Sequence, residues 1–207
     1  MNYIDFQQKF KEYPLIMVSD IKTAFTDYDS RRLYEWQKAG YIRKVARNFW
    51  LFTDQQVSES QTCFIANKLR EPSYLSLEYA LGTYGLIPEQ VFVKTCITTR
   101  GRATYETPVG NFSYRSMKEE LFFGYLLHGE GAYAYRMASP EKALLDFLYM
   151  RSDIQDEGHI AELRIATDVY RDKIDDARLD SYLKIFNSPT LENKVRLVRE
   201  YILDNHD

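Results

Sequence analysis

Aromatic residues at the start of the chain recur with the spacing of one helix face. Tyr3, Phe6, Phe10 and Tyr13 follow one another at intervals of three, four and three residues. This spacing places the four rings on one side of an α-helix and so predicts an amphipathic helix. Pro14 is expected to end it, because proline disfavours helical backbone in the residue before it.

A second, shorter helix is predicted directly after this one. Ser19 is a candidate N-cap, since its hydroxyl can accept a hydrogen bond from a free backbone N–H of the first turn. The apolar face of the helix would carry Ile21, Ala24 and Phe25. Residues 26–28 are then expected to form a turn.

The third predicted helix has a start signal and a stop signal. Asp29 is placed to cap its N-terminus, and Gly40 is placed to end it in the left-handed conformation that glycine adopts at little cost. Leu33 and Trp36 would form its inner face, because they lie three residues apart.

A basic hairpin follows the three helices. Residues 41–45 and 49–52 are rich in β-branched and aromatic side chains, and residues 46–48 are placed to form the turn between them. Three helices followed by a basic hairpin is the order of a winged helix-turn-helix. We therefore predict such a DNA-binding domain over residues 1–56.

The rest of the chain mixes helical and strand patterns. The polar residues 54–62 are expected to connect two domains, so that residues 57–207 form the second one. A short helix at 63–69 would lead into it. Further predicted elements are a helix at 75–81, a strand at 91–99, hairpins at 103–117 and 122–137, a helix at 141–150 and two helices within 176–203. The predicted fold class is α+β, with a winged helix-turn-helix followed by a mixed α+β domain.

Composition and charge refine this picture. The chain is 45% hydrophobic and 28% charged, a balance typical of globular proteins. Its net charge is −3, but residues 22–50 carry seven basic and three acidic side chains. That stretch is positive while the remainder is negative, and a DNA backbone would respond to the local charge. No apolar run is long enough to cross a membrane and no signal peptide opens the chain, so a cytoplasmic location is expected.

The candidate DNA-binding residues lie on the outer face of the third helix and in the hairpin. Arginine can hold guanine through two hydrogen bonds, glutamate can accept one from cytosine, and cations in a wing can meet phosphates. Ten residues form this set: Ser30, Arg31, Arg32, Tyr34, Glu35 and Lys38 on the helix, and Arg43, Lys44, Arg47 and Asn48 in the hairpin.

Several sequence blocks resemble one known family. Residues 40–50 read GYIRKVARNFW, residues 74–81 read YLSLEYAL and are followed by YGLIP at 84–88, and residues 138–146 read ASPEKALLD. Shorter matches are FGY at 123–125 and ELRI at 162–165. In this order they resemble the motifs of AbiEi-type regulators, the antitoxins of AbiE (type IV) toxin–antitoxin systems.

One position departs from that family pattern. The family wing often carries glycine where this chain has Asn48. Asparagine enters the left-handed backbone region more readily than other non-glycine residues, so we expect the turn to form. The resemblance implies a repressor that binds its own operator on double-stranded DNA. It also implies neutralisation of a nucleotidyltransferase-like toxin, by contact or indirectly, and operators with inverted repeats that would bring two copies together on DNA.

No catalytic or metal-binding pattern emerges. His128, His159 and His206 lack metal-ligand spacing, and Cys63 and Cys96 are expected to be buried and unpaired. No phosphate-binding loop, dinucleotide fingerprint or nucleophile elbow is present. We therefore predict no cofactor, no metal and no enzymatic activity.

Two lone acidic positions have simple structural explanations. Asp146, within an apolar helix, is expected to pair with Lys142 four residues earlier. Glu192 and Lys194 have the spacing of a nuclease motif, but their segment follows no acidic strand and is patterned as an amphipathic helix.

Three alternatives remain open at this point. The second domain could sense a small ligand and thereby control DNA binding, which a polar pocket would favour. It could instead be a nuclease or transferase, which clustered carboxylates would favour. The whole chain could also be a protein-interaction module whose winged helix never contacts DNA.

Overall fold

The computed structural model describes residues 1–205, and His206 lies outside the described residues. Helices and strands alternate from the start of the chain. The first elements are α1 (Tyr3–Phe10), β1 (Ile16–Met17), α2 (Val18–Ala24), α3 (Ser30–Lys38), β2 (Ile42–Ala46) and β3 (Phe49–Phe52). The three strands form an antiparallel sheet in the order β1-β3-β2.

The remaining residues form a mixed sheet with helices. Its elements are α4 (Glu59–Leu69), β4 (Ser73–Leu75), α5 (Leu77–Tyr84), β5 (Lys94–Thr98), β6 (Ala103–Thr107), β7 (Gly110–Ser116), β8 (Tyr125–His128), β9 (Tyr135–Ala138), α6 (Pro140–Met150), α7 (Glu157–Glu162), α8 (Thr167–Lys173), α9 (Asp176–Phe186) and α10 (Pro189–Asp204). The six strands lie in the order β6-β7-β5-β4-β9-β8. β5 pairs parallel with β7 and β4 with β9, while the other pairs are antiparallel. The α+β class is thus confirmed.

The first three helices follow the predicted order, with two differences. α1 buries Phe6 and Phe10 as expected. The predicted N-cap of α2 is wrong: Met17 occupies that position and Ser19 lies inside the helix. The cause is β1, which the sequence pattern missed because it is only two residues long and leads directly into the helix.

The predicted connection at residues 54–62 is shorter than expected. Ser58 caps α4 by accepting a hydrogen bond from the Gln61 backbone N–H, so the helix begins at Glu59 and not at Cys63. Gln61 is 2% exposed and its Nε2 donates to the Pro14 carbonyl oxygen at 2.7 Å. The polar side chain is therefore buried as a link to the N-terminal residues, and the boundary between residues 56 and 57 stays a prediction.

The small sheet is buried on both faces. On one face, Trp50 and Phe52 pack with the side chains of the first three helices in a small core. On the other face, Leu51 and Val45 belong to the large core of the second half. Successive side chains of a strand point to opposite faces, so the run Phe-Trp-Leu-Phe of β3 supplies both cores at once.

The centre of the second half contains a buried ionic network on α6. Lys142 and Asp146 are fully buried and form an ion pair one helical turn apart. Tyr74 and Ser76 donate hydrogen bonds to Asp146 Oδ2 at 2.9 and 2.8 Å. Burial raises the pKa of the Asp146 carboxyl and lowers that of the Lys142 ammonium, while their attraction opposes both shifts. The predicted pairing of Asp146 with Lys142 is confirmed.

We expect Asp146→Ala to lower the free energy of unfolding by about 3–5 kcal/mol, because it leaves a buried ammonium without a counter-charge. Urea denaturation followed by circular dichroism measures this change. Glu192→Ala, at an exposed position of α10, is the control and should change stability by less than about 0.5 kcal/mol. A loss below about 1 kcal/mol for Asp146→Ala would show that the network does not hold α6 against the sheet.

Candidate nucleic-acid interface

The third helix is defined by its cap and its buried face. Asp29 accepts a hydrogen bond from the Arg31 backbone N–H at 2.9 Å, which satisfies a free donor of the first turn. Leu33 and Trp36 are 2% and 6% exposed in the small core. Gly40 ends the segment with φ 78°, as the sequence predicts. These contacts fix which side of the helix faces solvent.

The outer face of α3 carries all six helix residues predicted to bind DNA, and all six are exposed. They are Ser30, Arg31, Arg32, Tyr34, Glu35 and Lys38. Tyr34 is the most conspicuous, because its ring is 68% exposed while most tyrosines in folded proteins are at least partly covered. The structure thus brings these residues together on one accessible surface.

Two ion pairs cross this surface. Arg31 Nη2 lies 2.7 Å from Asp29 Oδ2, and Arg31 Nε donates to both oxygens of the same carboxylate. Hydrogen bonding from Arg31 lowers the pKa of the Asp29 carboxyl. Arg32 Nη1 lies 3.2 Å from Glu35 Oε2. Exposed pairs of this kind contribute about 0–1 kcal/mol, so either arginine can exchange its partner for another anion.

The hairpin presents a second group of cations at its turn. Arg47 and Asn48 connect β2 to β3, and Asn48 adopts the left-handed conformation with φ 71°. The expectation that asparagine serves this turn in place of glycine is therefore confirmed. Arg47 is exposed, and so is Lys44, whose Nζ lies 6.0 Å from the centre of the Trp50 ring.

Arg43 differs from the other hairpin cations. It is half-buried, and its Nη2 donates to the Gln55 carbonyl oxygen at 2.8 Å. Its guanidinium thus binds the segment that follows β3. No sequence pattern distinguishes Arg43 from Lys44, because a register shift between Lys44 and Ala46 interrupts the alternation of β2.

Backbone contacts hold the helix and the hairpin in a fixed relation. The Tyr41 N–H donates to the Trp36 carbonyl oxygen at 2.9 Å, which joins the end of α3 to the start of β2. The Val18 N–H donates to the Asn48 carbonyl oxygen at 3.1 Å, which ties the hairpin turn to the start of α2. These hydrogen bonds connect the end of α3 to the hairpin and the hairpin turn to α2.

Among residues 1–205, the side chains considered for metal binding or nuclease activity lie apart from one another. Within residues 1–205, no group of three or more His, Cys, Asp or Glu side chains is arranged to hold a metal ion. Cys63 and Cys96 are buried and unpaired, as expected. Glu192 is exposed, whereas Lys194 is buried and its Nζ donates to the Leu148 carbonyl oxygen at 2.9 Å. Glu192 and Lys194, the two residues with the nuclease-like spacing, therefore lie in different environments, one at the surface and one in the interior.

The second half also contains an open cavity of about 280 Å³. Its lining includes the apolar Ile87 and Phe147 and the polar Glu78, Glu162 and His159. This is where a small effector would be accommodated under the ligand-sensing alternative.

No helix of the described residues 1–205 has both the length and the apolar character needed to cross a membrane.

Comparison with known proteins adds no assignment. The chain matches no family model and no curated protein. Membership of the AbiEi family therefore stays a prediction that rests on the sequence blocks described above. The structural findings are an exposed surface of mixed charge on α3 and an exposed basic turn between β2 and β3.

We expect Asn48→Val to destabilise the protein by about 1–3 kcal/mol, because a β-branched residue is strained at φ 71°. Asn48→Gly should be neutral or slightly stabilising, since glycine adopts this conformation freely. Thermal unfolding of both variants checks the prediction. Equal stability of the two variants would mean that the turn relaxes to another conformation.

Proposed function

We propose that this chain is a cytoplasmic DNA-binding transcriptional regulator whose N-terminal half is a winged helix-turn-helix. In this proposal, α3 enters the major groove of double-stranded operator DNA and the turn between β2 and β3 is the wing. The observation that carries it is the set of exposed polar side chains on α3 together with the exposed Lys44 and Arg47 of the following hairpin. Such an arrangement suits a helix that reads base edges and a hairpin that holds the backbone.

Charge supports the same proposal. Residues 22–50 have a positive net charge in a chain whose total is −3. Cations concentrated on one surface attract phosphates and release counterions when DNA binds.

The roles of individual residues follow from their positions. Arg31 lies in the first turn of α3, where recognition helices contact base edges, so we assign it a guanine contact. Tyr34 and Lys38 extend the same face, and Glu35 is placed to accept from cytosine. Arg47 lies at the tip of the hairpin and is assigned to phosphate or to a narrow minor groove.

We further propose that residues 57–207 act against a toxin, as the AbiEi resemblance implies. This part of the proposal is supported by the sequence blocks in that half, from residues 74–88 to residues 162–165. Its cognate partner would be a nucleotidyltransferase-like toxin encoded beside it. Two copies on an inverted repeat would repress the shared operon.

The test titrates Arg31→Ala and Arg47→Ala on the gene's own upstream region and on a scrambled duplex, at several salt concentrations. Arg31→Ala should weaken operator binding about 5- to 150-fold more than scrambled binding, because a bidentate base contact contributes about 1–3 kcal/mol of discrimination. Arg47→Ala should weaken both duplexes by similar factors and reduce the slope of log K against log salt by about 0.9.

The control is Lys184→Ala, an exposed lysine on α9 that should leave both affinities unchanged. Salt-insensitive binding, or no binding at any salt, would refute the proposed DNA interface. A collapse of selectivity in Arg47→Ala with none in Arg31→Ala would reverse the roles assigned to the helix and the wing.

A further inference from the structure

Two arginines of the second half lie opposite each other at the edge of the six-stranded sheet. Arg102 directly precedes the edge strand β6, and Arg115 lies on its neighbour β7. Neither belongs to the surface formed by α3 and the hairpin turn. We call these two residues the arginine cluster.

Strand pairing brings the two arginines together. Ala103 lies opposite Tyr114 in the β6–β7 pair, so continuing that register places Arg102 opposite Arg115. The two arginines line one cavity of about 380 Å³.

The cluster has no carboxylate partner, unlike the arginines of the C-terminal helices. In the described part of the chain, every arginine from Arg151 to Arg199 has a carboxylate oxygen within 3.8 Å. Arg31 and Arg32 have such partners as well. No member of the cluster forms an ion pair within residues 1–205, and the nearest acidic side chain along β6 is four residues from Arg102.

Two unpaired cations opposite each other disfavour folding. Like charges directly opposite each other on neighbouring strands are destabilising. An anion at this place would relieve that cost, because it would supply negative charge and acceptor oxygens together.

We propose that the arginine cluster is a phosphate-binding site, separate from the surface on α3. Guanidinium groups donate pairs of hydrogen bonds that match phosphate oxygens. Thr104 and Ser113, which face each other across β6 and β7 and line the same cavity, add two hydroxyl donors. The shared chemistry is a phosphate group, carried either by a free phosphorylated compound or by the backbone of a nucleic acid.

The test measures pyrophosphate binding to the full chain by isothermal titration calorimetry. Arg102→Gln/Arg115→Gln should weaken it at least about tenfold, because hydrogen bonds to charged groups are lost. Arg136→Gln is the matched control: Arg136 is exposed on β9, has no carboxylate partner within residues 1–205, and lies beyond β5 and β4 in the sheet. The Arg136→Gln variant should bind pyrophosphate with the same affinity as the wild type.

A second variant shows whether a loss of pyrophosphate binding reflects the lost donors or misfolding of the double variant. Arg102→Lys keeps the charge and loses the planar pair of donors, so it should bind pyrophosphate more weakly than the wild type while its unfolding temperature is unchanged. Absence of pyrophosphate binding, or equal binding by the wild type, Arg102→Lys and the double variant, would overturn the proposal.

A DNA titration distinguishes the two sources of phosphate. If a nucleic-acid backbone occupies the cluster, the double variant should lower the salt slope of duplex binding by about 1.8, the value for two phosphates. If the source is a free compound, pyrophosphate binding falls while the salt slope stays the same. The calorimetric result stands even if the chain binds no DNA, so failure of this site and failure of the proposed DNA interface are distinguishable.

Discussion

The two-sided burial of β3 is the constraint on which the arrangement of this protein depends. Trp50 and Phe52 complete the core beneath α1, α2 and α3, while Leu51 between them enters the large core of the second half. One strand therefore fixes the orientation of α3 and of the hairpin turn relative to the six-stranded sheet. Gln61 strengthens this connection through its hydrogen bond to the Pro14 carbonyl oxygen. The proposed DNA-binding surface and the proposed partner-binding half are thus presented in a defined geometry.

The ionic groups of the protein divide by burial into two kinds. The Lys142–Asp146 pair is fully buried, and removal of one partner leaves the other without compensation. The Asp29–Arg31 and Arg32–Glu35 pairs are exposed and contribute little to stability. Arg31 and Arg32 can therefore exchange their carboxylate partners for DNA phosphates at small cost, whereas the buried pair holds α6 in place. The arginine cluster belongs to neither kind, since no carboxylate pairs with Arg102 or Arg115 among residues 1–205.

Local signals predicted α3 and the hairpin turn well. Asp29, Leu33, Trp36 and Gly40 specify a helix start, an inner face and a stop within one short segment, and Asn48 adopts the backbone conformation its chemistry favours. The features that the sequence pattern did not predict depend on contacts between residues far apart in the chain. β1 forms only because β3 offers it a pairing edge, and Arg43 turns inward to a carbonyl oxygen that the sequence does not place beside it. The arginine cluster is likewise assembled by the pairing of β6 with β7, which no spacing along the chain reveals.

The most direct test of the account is photo-crosslinking from the exposed ring on the outer face of α3. A photoreactive phenylalanine analogue is placed at Tyr34 or, as a control, at Tyr133, an exposed tyrosine of the second half. Each protein is irradiated with a labelled duplex of the gene's upstream region. The account predicts a crosslink from position 34 that unlabelled operator competes away, and none from position 133. Retention of the duplex without any crosslink from position 34 would contradict the claim that α3 binds the DNA.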